Sequence, residues 1–244
     1  MAKITSEKRK LFIVAVLLTS FIFVFAACGD SGDTESTEAQ EATEATESAV
    51  VDEEVADIEV VESGYNVRDD ATVVYGYIIR NPNETVAFEY PMITVNVCDA
   101  NGDVIASNTD STCLIQPGEV QALYGHIECE GADPAKIEVI PEAGEEISPS
   151  DEAIKSSDLT ISDTNEVNDD GSVKITGKVK NDSASDTSSI ALTALFRKDG
   201  KIVSGGMAFL EEDLSAGQEI EFEIDEYYVP EHDSFDVIAM NWEY

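Results

Sequence analysis

The chain has 244 residues and a formal net charge of −37, with 51 acidic against 14 basic side chains. That balance excludes nucleic acid as a partner, because phosphate recognition needs lysine and arginine, and it disfavours lying flat on an anionic membrane surface. The length allows two domains of ordinary size.

In chain order, the first element is an export signal. Lys3, Lys8, Arg9 and Lys10 form a basic start, and residues 11–27 are apolar except for Thr19 and Ser20. The run ends in Phe25-Ala26-Ala27-Cys28. This stretch resembles the lipobox of bacterial lipoproteins. The resemblance implies that Cys28 is diacylated and becomes the new N-terminus, palmitate being the typical added chain. Two acyl chains suffice for stable anchoring, at about 0.8 kcal/mol per buried methylene. The expectation is therefore a protein tethered by lipid to the extracytoplasmic face of the cell membrane. An uncleaved anchor is the competing reading, since seventeen apolar positions are short for a span.

Residues 29–56 are rich in Glu, Thr, Ala and Ser and contain no aromatic residue. Between Gly29 and Glu62 stand thirteen acids and no base. Such a segment has too little to bury to offset its ordering entropy and is expected to be a disordered spacer. As a flexible chain it would span roughly 30 Å, more once charge repulsion stretches it.

The remainder is an internal duplication. Asp57-Ile58-Glu59-Val60 recurs as Asp158-Leu159-Thr160-Ile161, and Asp69-Asp70-Ala71-Thr72-Val73 as Asp169-Asp170-Gly171-Ser172-Val173. Asn101-Gly102 matches Asp199-Gly200, Pro117-Gly118-Glu119 matches Ala216-Gly217-Gln218, and Ile137-Glu138-Val139-Ile140 matches Phe235-Asp236-Val237-Ile238. The offset drifts only from 101 to 98. Within each copy, apolar residues alternate as in half-buried strands: Val73, Tyr75, Tyr77 and Ile79, then Val173, Ile175 and Val179. Strands are also expected over 92–98, 190–196, 120–127 and 219–224. The stretch at 190–196 is more continuously apolar than its counterpart. Asn101-Gly102 and Asp199-Gly200 each suit a type I′ hairpin. Frequent short strands with regular turn signals predict an all-β fold of two tandem immunoglobulin-like sandwiches, at residues 57–146 and 147–244. The joint at 142–157 is expected to allow modest independent motion.

These units are similar to FxLYD-type β-sandwich domains, found in lipoproteins and surface proteins of Firmicutes. The residues carrying the likeness are Asn81, Val95, Val97, Asp99, Gly102, Val104, Pro117, Gly118 and Glu119 in the first copy. In the second they are Gly177, Asn181, Leu195, Asp199, Gly200, Ile202 and Gly217. The resemblance implies a fold and a Gram-positive surface location; it implies no reaction.

No residue set reads as an active site, so a non-enzymatic role is expected. His126 and His232 are the only histidines, sit at non-equivalent places, and lie near no recognisable nucleophile motif. His232 is expected to be exposed. Calcium is the strongest chemical candidate: Asp99, Asn101 and Asp103 place side-chain oxygens at alternate positions, and Asp69-Asp70 and Asp169-Asp170 gather acid at loops that both repeats share. The glycine falls fourth and no Glu stands twelfth, unlike a calcium loop, and a hairpin turn explains the same residues. Cys98, Cys113 and Cys129 allow one disulfide, whose pairing spacing alone leaves open. Tyr227, Tyr228 and Trp242 are candidate contact or core aromatics. The sequence thus predicts a lipid-anchored surface protein offering two sandwiches to a protein or cell-envelope partner. The alternative is a calcium- or small-ligand-binding accessory lipoprotein.

Overall fold

The computed structural model describes residues 55–169 and 172–242, and over these the chain is all-β. The first copy contains β1 (Glu59–Val67), β2 (Thr72–Arg80), β3 (Ala87–Glu89), β4 (Met92–Cys98), β5 (Val104–Ser111), β6 (Leu114–Ile115), β7 (Val120–Glu128), β8 (Lys136–Glu142) and β9 (Glu145–Ile147). The second contains β10 (Leu159–Asp169), β11 (Ser172–Asn181), β12 (Ile190–Lys198), β13 (Lys201–Leu210), β14 (Glu219–Tyr227) and β15 (Ser234–Asn241). Each copy stacks two antiparallel three-stranded sheets. They are β1-β2-β7 over β5-β4-β8, and β10-β11-β14 over β13-β12-β15. The strand order is the same in both, as duplication requires. Among the described residues no helix is long and apolar enough to cross a membrane.

Alternation builds the two cores. Val73, Tyr75, Tyr77 and Ile79 of β2 meet Ile93, Val95 and Val97 of β4 in the first. Val173, Ile175 and Val179 meet Ile190, Leu192, Ala194 and Phe196 in the second. One polar device is repeated without change. Asn81 and Asn181 are fully buried, and each side-chain amide donates to two carbonyls: Val86 and Ile115 in the first copy, Ser185 and Leu214 in the second. The backbone of each also bonds the matching turn, Gly118 and Glu119 or Gly217 and Gln218. Each asparagine thereby locks the end of β2 or β11 to the turn before β7 or β14. A buried amide left unpaired here would cost about 1–3 kcal/mol, so the residue tolerates little replacement.

The hairpin expectation holds in only one copy. Asp199 and Gly200 both have positive φ, as a two-residue type I′ turn requires. In the first copy Gly102 alone does, and β4 and β5 are separated by a longer loop. There the Asp99 carboxylate accepts the backbone N–H of Asn101 at 2.8 Å and of Asp103 at 2.9 Å, stabilising a wider turn.

The copies do not move as separate domains. The described residues belong to one compact unit, and sheet β1-β2-β7 of the first copy packs face to face on β13-β12-β15 of the second. Ala122, Leu195 and Ile202 form a third buried cluster between them, flanked by Ile78 and Ile238. Ala191 and Met240 of the second copy join the core of the first, with Met207 and Trp242 packed against it. Strands β2 and β12 are therefore buried on both faces, which explains the unbroken apolar run at 190–196. Glycine permits the approach. A side chain on Gly64 would overlap the Ile202 carbonyl, and a Cβ on Gly76 would lie 2.6 Å from Leu195 Cδ2.

Polar ties frame this junction. Arg197 grips Glu62 with two parallel bonds, Nη1–Oε1 at 2.7 Å and Nη2–Oε2 at 3.0 Å, while its Nε bonds Asp236 at 2.5 Å. The joint expected to flex is held down: Lys155 Nζ donates to the Pro117 carbonyl at 3.1 Å, and Ser156 donates through N and Oγ to Glu119 Oε1. Ile154 is buried in the second core, and β9 pairs with β3 in the first sandwich.

Removing the central side chain of the junction tests this unity. Leu195→Ala is expected to destabilise the chain by about 2–5 kcal/mol. A denaturant melt should still show one transition, read identically by Trp242 fluorescence and far-UV circular dichroism. Two separated transitions in the wild type would mean independent domains.

Candidate functional site

Antiparallel connectivity brings one set of loops to a common end. In the first copy the loops 68–71, 99–103 and 129–135 meet there, tied by Cys129 N to Ala71 O at 3.2 Å and Ala135 N to Cys98 O at 2.9 Å. In the second copy 199–200 and 228–233 do the same, tied by Asp233 N to Arg197 O at 2.8 Å and Asp199 N to Asp233 Oδ2 at 2.8 Å. The two sets touch. The Arg68 guanidinium stacks on the Tyr228 ring at 4.5 Å, a contact between copies worth about 0.5–1 kcal/mol at an exposed site. Around it lies a shallow cleft of about 370 Å³ lined by Val67, Arg68, Asp70, Tyr228 and Pro230 among others.

This end combines aromatic surface with acid. Tyr227 and Tyr228 are 67% and 68% exposed, and Val67 and Val167 are exposed beside the loops. Tyr carries large contact area at low rotamer cost, the property that favours it at interfaces. Trp242 lies elsewhere. It packs edge-on against Phe209 at 5.3 Å and against the first core, so it belongs to the junction.

The candidate calcium ligands are only partly brought together. Asp99 uses Oδ1 for the N–H groups of Asn101 and Asp103 and Oδ2 for the Asn101 amide at 3.1 Å. These bonds hold its carboxyl below the usual range. Asn101 and Asp103 are exposed on the same loop. Asp169 ends β10 opposite Ser172, and Asp170 and Cys28 lie outside the described residues. Among the described residues, no three His, Cys, Asp or Glu side chains come together in a metal-holding group. The loop oxygens thus have a structural task that accounts for their spacing.

Cys98, Cys113 and Cys129 are all buried as thiols. His126 is exposed on β7. His232 departs from expectation: its side chain is 6% exposed and leans on Phe196 at 4.8 Å between ring centres. Nδ1 faces the Pro230 carbonyl at 2.8 Å and Nε2 faces Glu166 at 3.1 Å, so the ring pins the 228–233 loop to β10. An acceptor at each ring nitrogen drew this histidine inward, a pairing invisible at 66 residues' separation.

Sequence reasoning also missed one half-buried and one buried carboxylate. Asp110 accepts the hydroxyls of Tyr75 at 3.1 Å and Tyr77 at 2.9 Å on one oxygen and the Asn108 amide at 2.8 Å on the other. Glu119 is 5% exposed and accepts from Gln116 N, Ser156 and Gln121. Burial pushes both carboxyls up, and the hydrogen bonds they accept only partly offset it. Burial, then the Glu226 carboxylate of the other copy, likewise raises the Tyr124 hydroxyl. The signal available in the sequence was an acid at an inward-facing strand position for Asp110, and none for Glu119 beyond a turn motif.

No protein-family model matches the chain, and no curated protein matches it.

These acids set a pH dependence. Asp110 and Glu119 bind protons more readily in the folded than in the unfolded chain, so stability should rise as pH falls from neutrality through their raised values. The exposed acids held low, such as Asp70, Asp99 and Asp233, lose their contribution only below the ordinary carboxylate range. Melting temperature should therefore peak on the acid side of neutrality. Asp110→Asn should flatten the rise, and a wild-type optimum above pH 7 would contradict the assignment.

Proposed function

We propose that this chain is a non-enzymatic lipoprotein of a Gram-positive surface, anchored through diacylated Cys28. It presents a rigid pair of FxLYD-like sandwiches to a protein or cell-envelope partner. The observation that carries the reading is Phe25-Ala26-Ala27-Cys28 closing an apolar run behind four basic residues. The acidic segment 29–56 serves as a spacer that lifts the folded unit from the membrane and is itself repelled by anionic lipid. The exposed tyrosines and valines at the shared loop end supply a contact surface that a partner can bury.

The anchor has a direct test. In a host that processes lipoproteins, the wild-type chain should take up radiolabelled palmitate and fractionate with membranes. Cys28→Ser should take up none. Labelling that persists in the variant would place the lipid elsewhere, and unlabelled, membrane-bound wild type would favour an uncleaved anchor.

Convergence of acidic loops at one end favours a second reading, a calcium-dependent accessory lipoprotein. Engagement of both Asp99 oxygens by the loop itself weighs against it. A melt of residues 55–244 in millimolar calcium at constant ionic strength separates the two. The surface-module reading expects no change, whereas a native-state calcium site would raise the melting temperature by several degrees.

A further inference from the structure

The first sandwich contains a buried polar pocket that the second does without. Thr112, Gln121 and Glu119 are 2%, 0% and 5% exposed. Thr112 Oγ1 donates to Gln121 Oε1 at 2.8 Å. The Gln121 Nε2 donates to the Leu114 carbonyl at 2.7 Å and to Glu119 Oε1 at 3.3 Å, which orients the amide with its oxygen toward the threonine. Gln116, whose backbone N–H bonds Glu119, has both side-chain amide atoms buried without a hydrogen-bond partner among the described residues. Burying this many polar groups is costly. The second sandwich reaches the same topology with Gln218 at the position of Glu119 and Ile220 at that of Gln121. The fold therefore does not require the set.

We propose that Thr112 and Gln121 join in an intramolecular ester, with Glu119 carrying the proton. The parts are those of nucleophilic acyl transfer: a hydroxyl, an acyl carbon held beside it, and a carboxylate against the leaving nitrogen. Thr112 Oγ1 adds to Gln121 Cδ, forming the C–O bond as the carbonyl electron pair moves onto Oε1. The hydroxyl proton moves onto Oε1, which it already bonds, and Glu119, held against Nε2, protonates that nitrogen. The pair returns from Oε1 to carbon, the C–N bond breaks, ammonia leaves, and the Oε1 proton restores the Glu119 carboxyl. Hydroxyl plus carboxamide become ester plus ammonia, with no oxidant, reductant or cofactor. Fixed proximity replaces an encounter, and burial keeps water from the product. Burial also holds the Glu119 carboxyl above its ordinary range, which suits a group that must both take and give a proton.

The wild-type protein decides the matter. Its intact mass should fall about 17 Da, the mass of one ammonia, below that of the same processed and lipidated chain without the ester. Cyclisation at Asn101-Gly102 would lose the same mass, so the site must be located. Cleavage after glutamate should leave residues 90–119 joined to residues 120–128, since the ester bridges the cut at Glu119. Mild alkali should then separate them and leave glutamate at 121. Thr112→Ala should restore the full mass, and Glu119→Gln should slow ester formation by about 100-fold or more. A folded wild type at full mass, or a loss that maps to residues 101–102, would overturn the proposal. Neither result depends on a variant folding.

Discussion

Everything in this chain depends on two sheets coming within side-chain contact where most tandem sandwiches have only a linker. Sheets β1-β2-β7 and β13-β12-β15 can meet because Gly64 and Gly76 leave space for Ile202 and Leu195. Once they meet, Ala122, Leu195 and Ile202 leave water, each large side chain contributing about 1.5–3 kcal/mol. The rest of the architecture adapts to that plane. Arg197 and Glu62 close one margin, Trp242 on Phe209 another, and the Glu119–Ser156 tie holds the connecting segment. The common loop end exists only because the plane fixes both sandwiches side by side, bringing Arg68 onto Tyr228.

Strand identity was legible because period-two alternation reports burial on one face, and the duplication gave the strands of the two stacked sheets a second witness. Met92–Cys98 is a strand with the bounds its alternation predicts, and Asn81 and Asn181 occupy equivalent buried positions in both copies. The junction was half legible. The continuous apolar run in β12 signals burial on both faces, but nothing local says what covers the second face. His232 and Glu119 were not legible at all, and Asp110 only as an acid at an inward-facing strand position. Their burial follows from partners 33 to 66 residues away or across the junction, and a polar loop or turn motif masks it. The Asn101-Gly102 loop misled for a different reason: a side-chain carboxylate two residues upstream competes with the backbone for control of the turn.

The copies have diverged in what they bury. The second has an apolar interior of the ordinary kind, with Phe222 lying over Gly177. The first has taken in Tyr75, Tyr77 and Asp110 on one side and Thr112, Glu119 and Gln121 on the other. A buried, hydrogen-bonded network of this kind tolerates few alternative packings, so the first copy is the more narrowly specified of the two. It is also the copy that holds all three buried thiols.

The junction joins unlike surfaces: the β2 sheet of one copy sits on the β12 sheet of the next, with no two-fold axis relating them. A contact of that kind, repeated between molecules, never closes and builds an open-ended fibre. Two outer sheets stand where such growth would continue, and neither is apolar. On the second copy Lys174 and Lys178 alternate with Glu219, Glu223 and Asp225 in a cross-strand charge lattice. On the first, β4 and β5 turn out Thr94, Asn96, Ser107 and Thr109. A gene duplication that glued two domains by their faces therefore also had to make the terminal faces wet. The two outer sheets no longer resemble the buried pair between them.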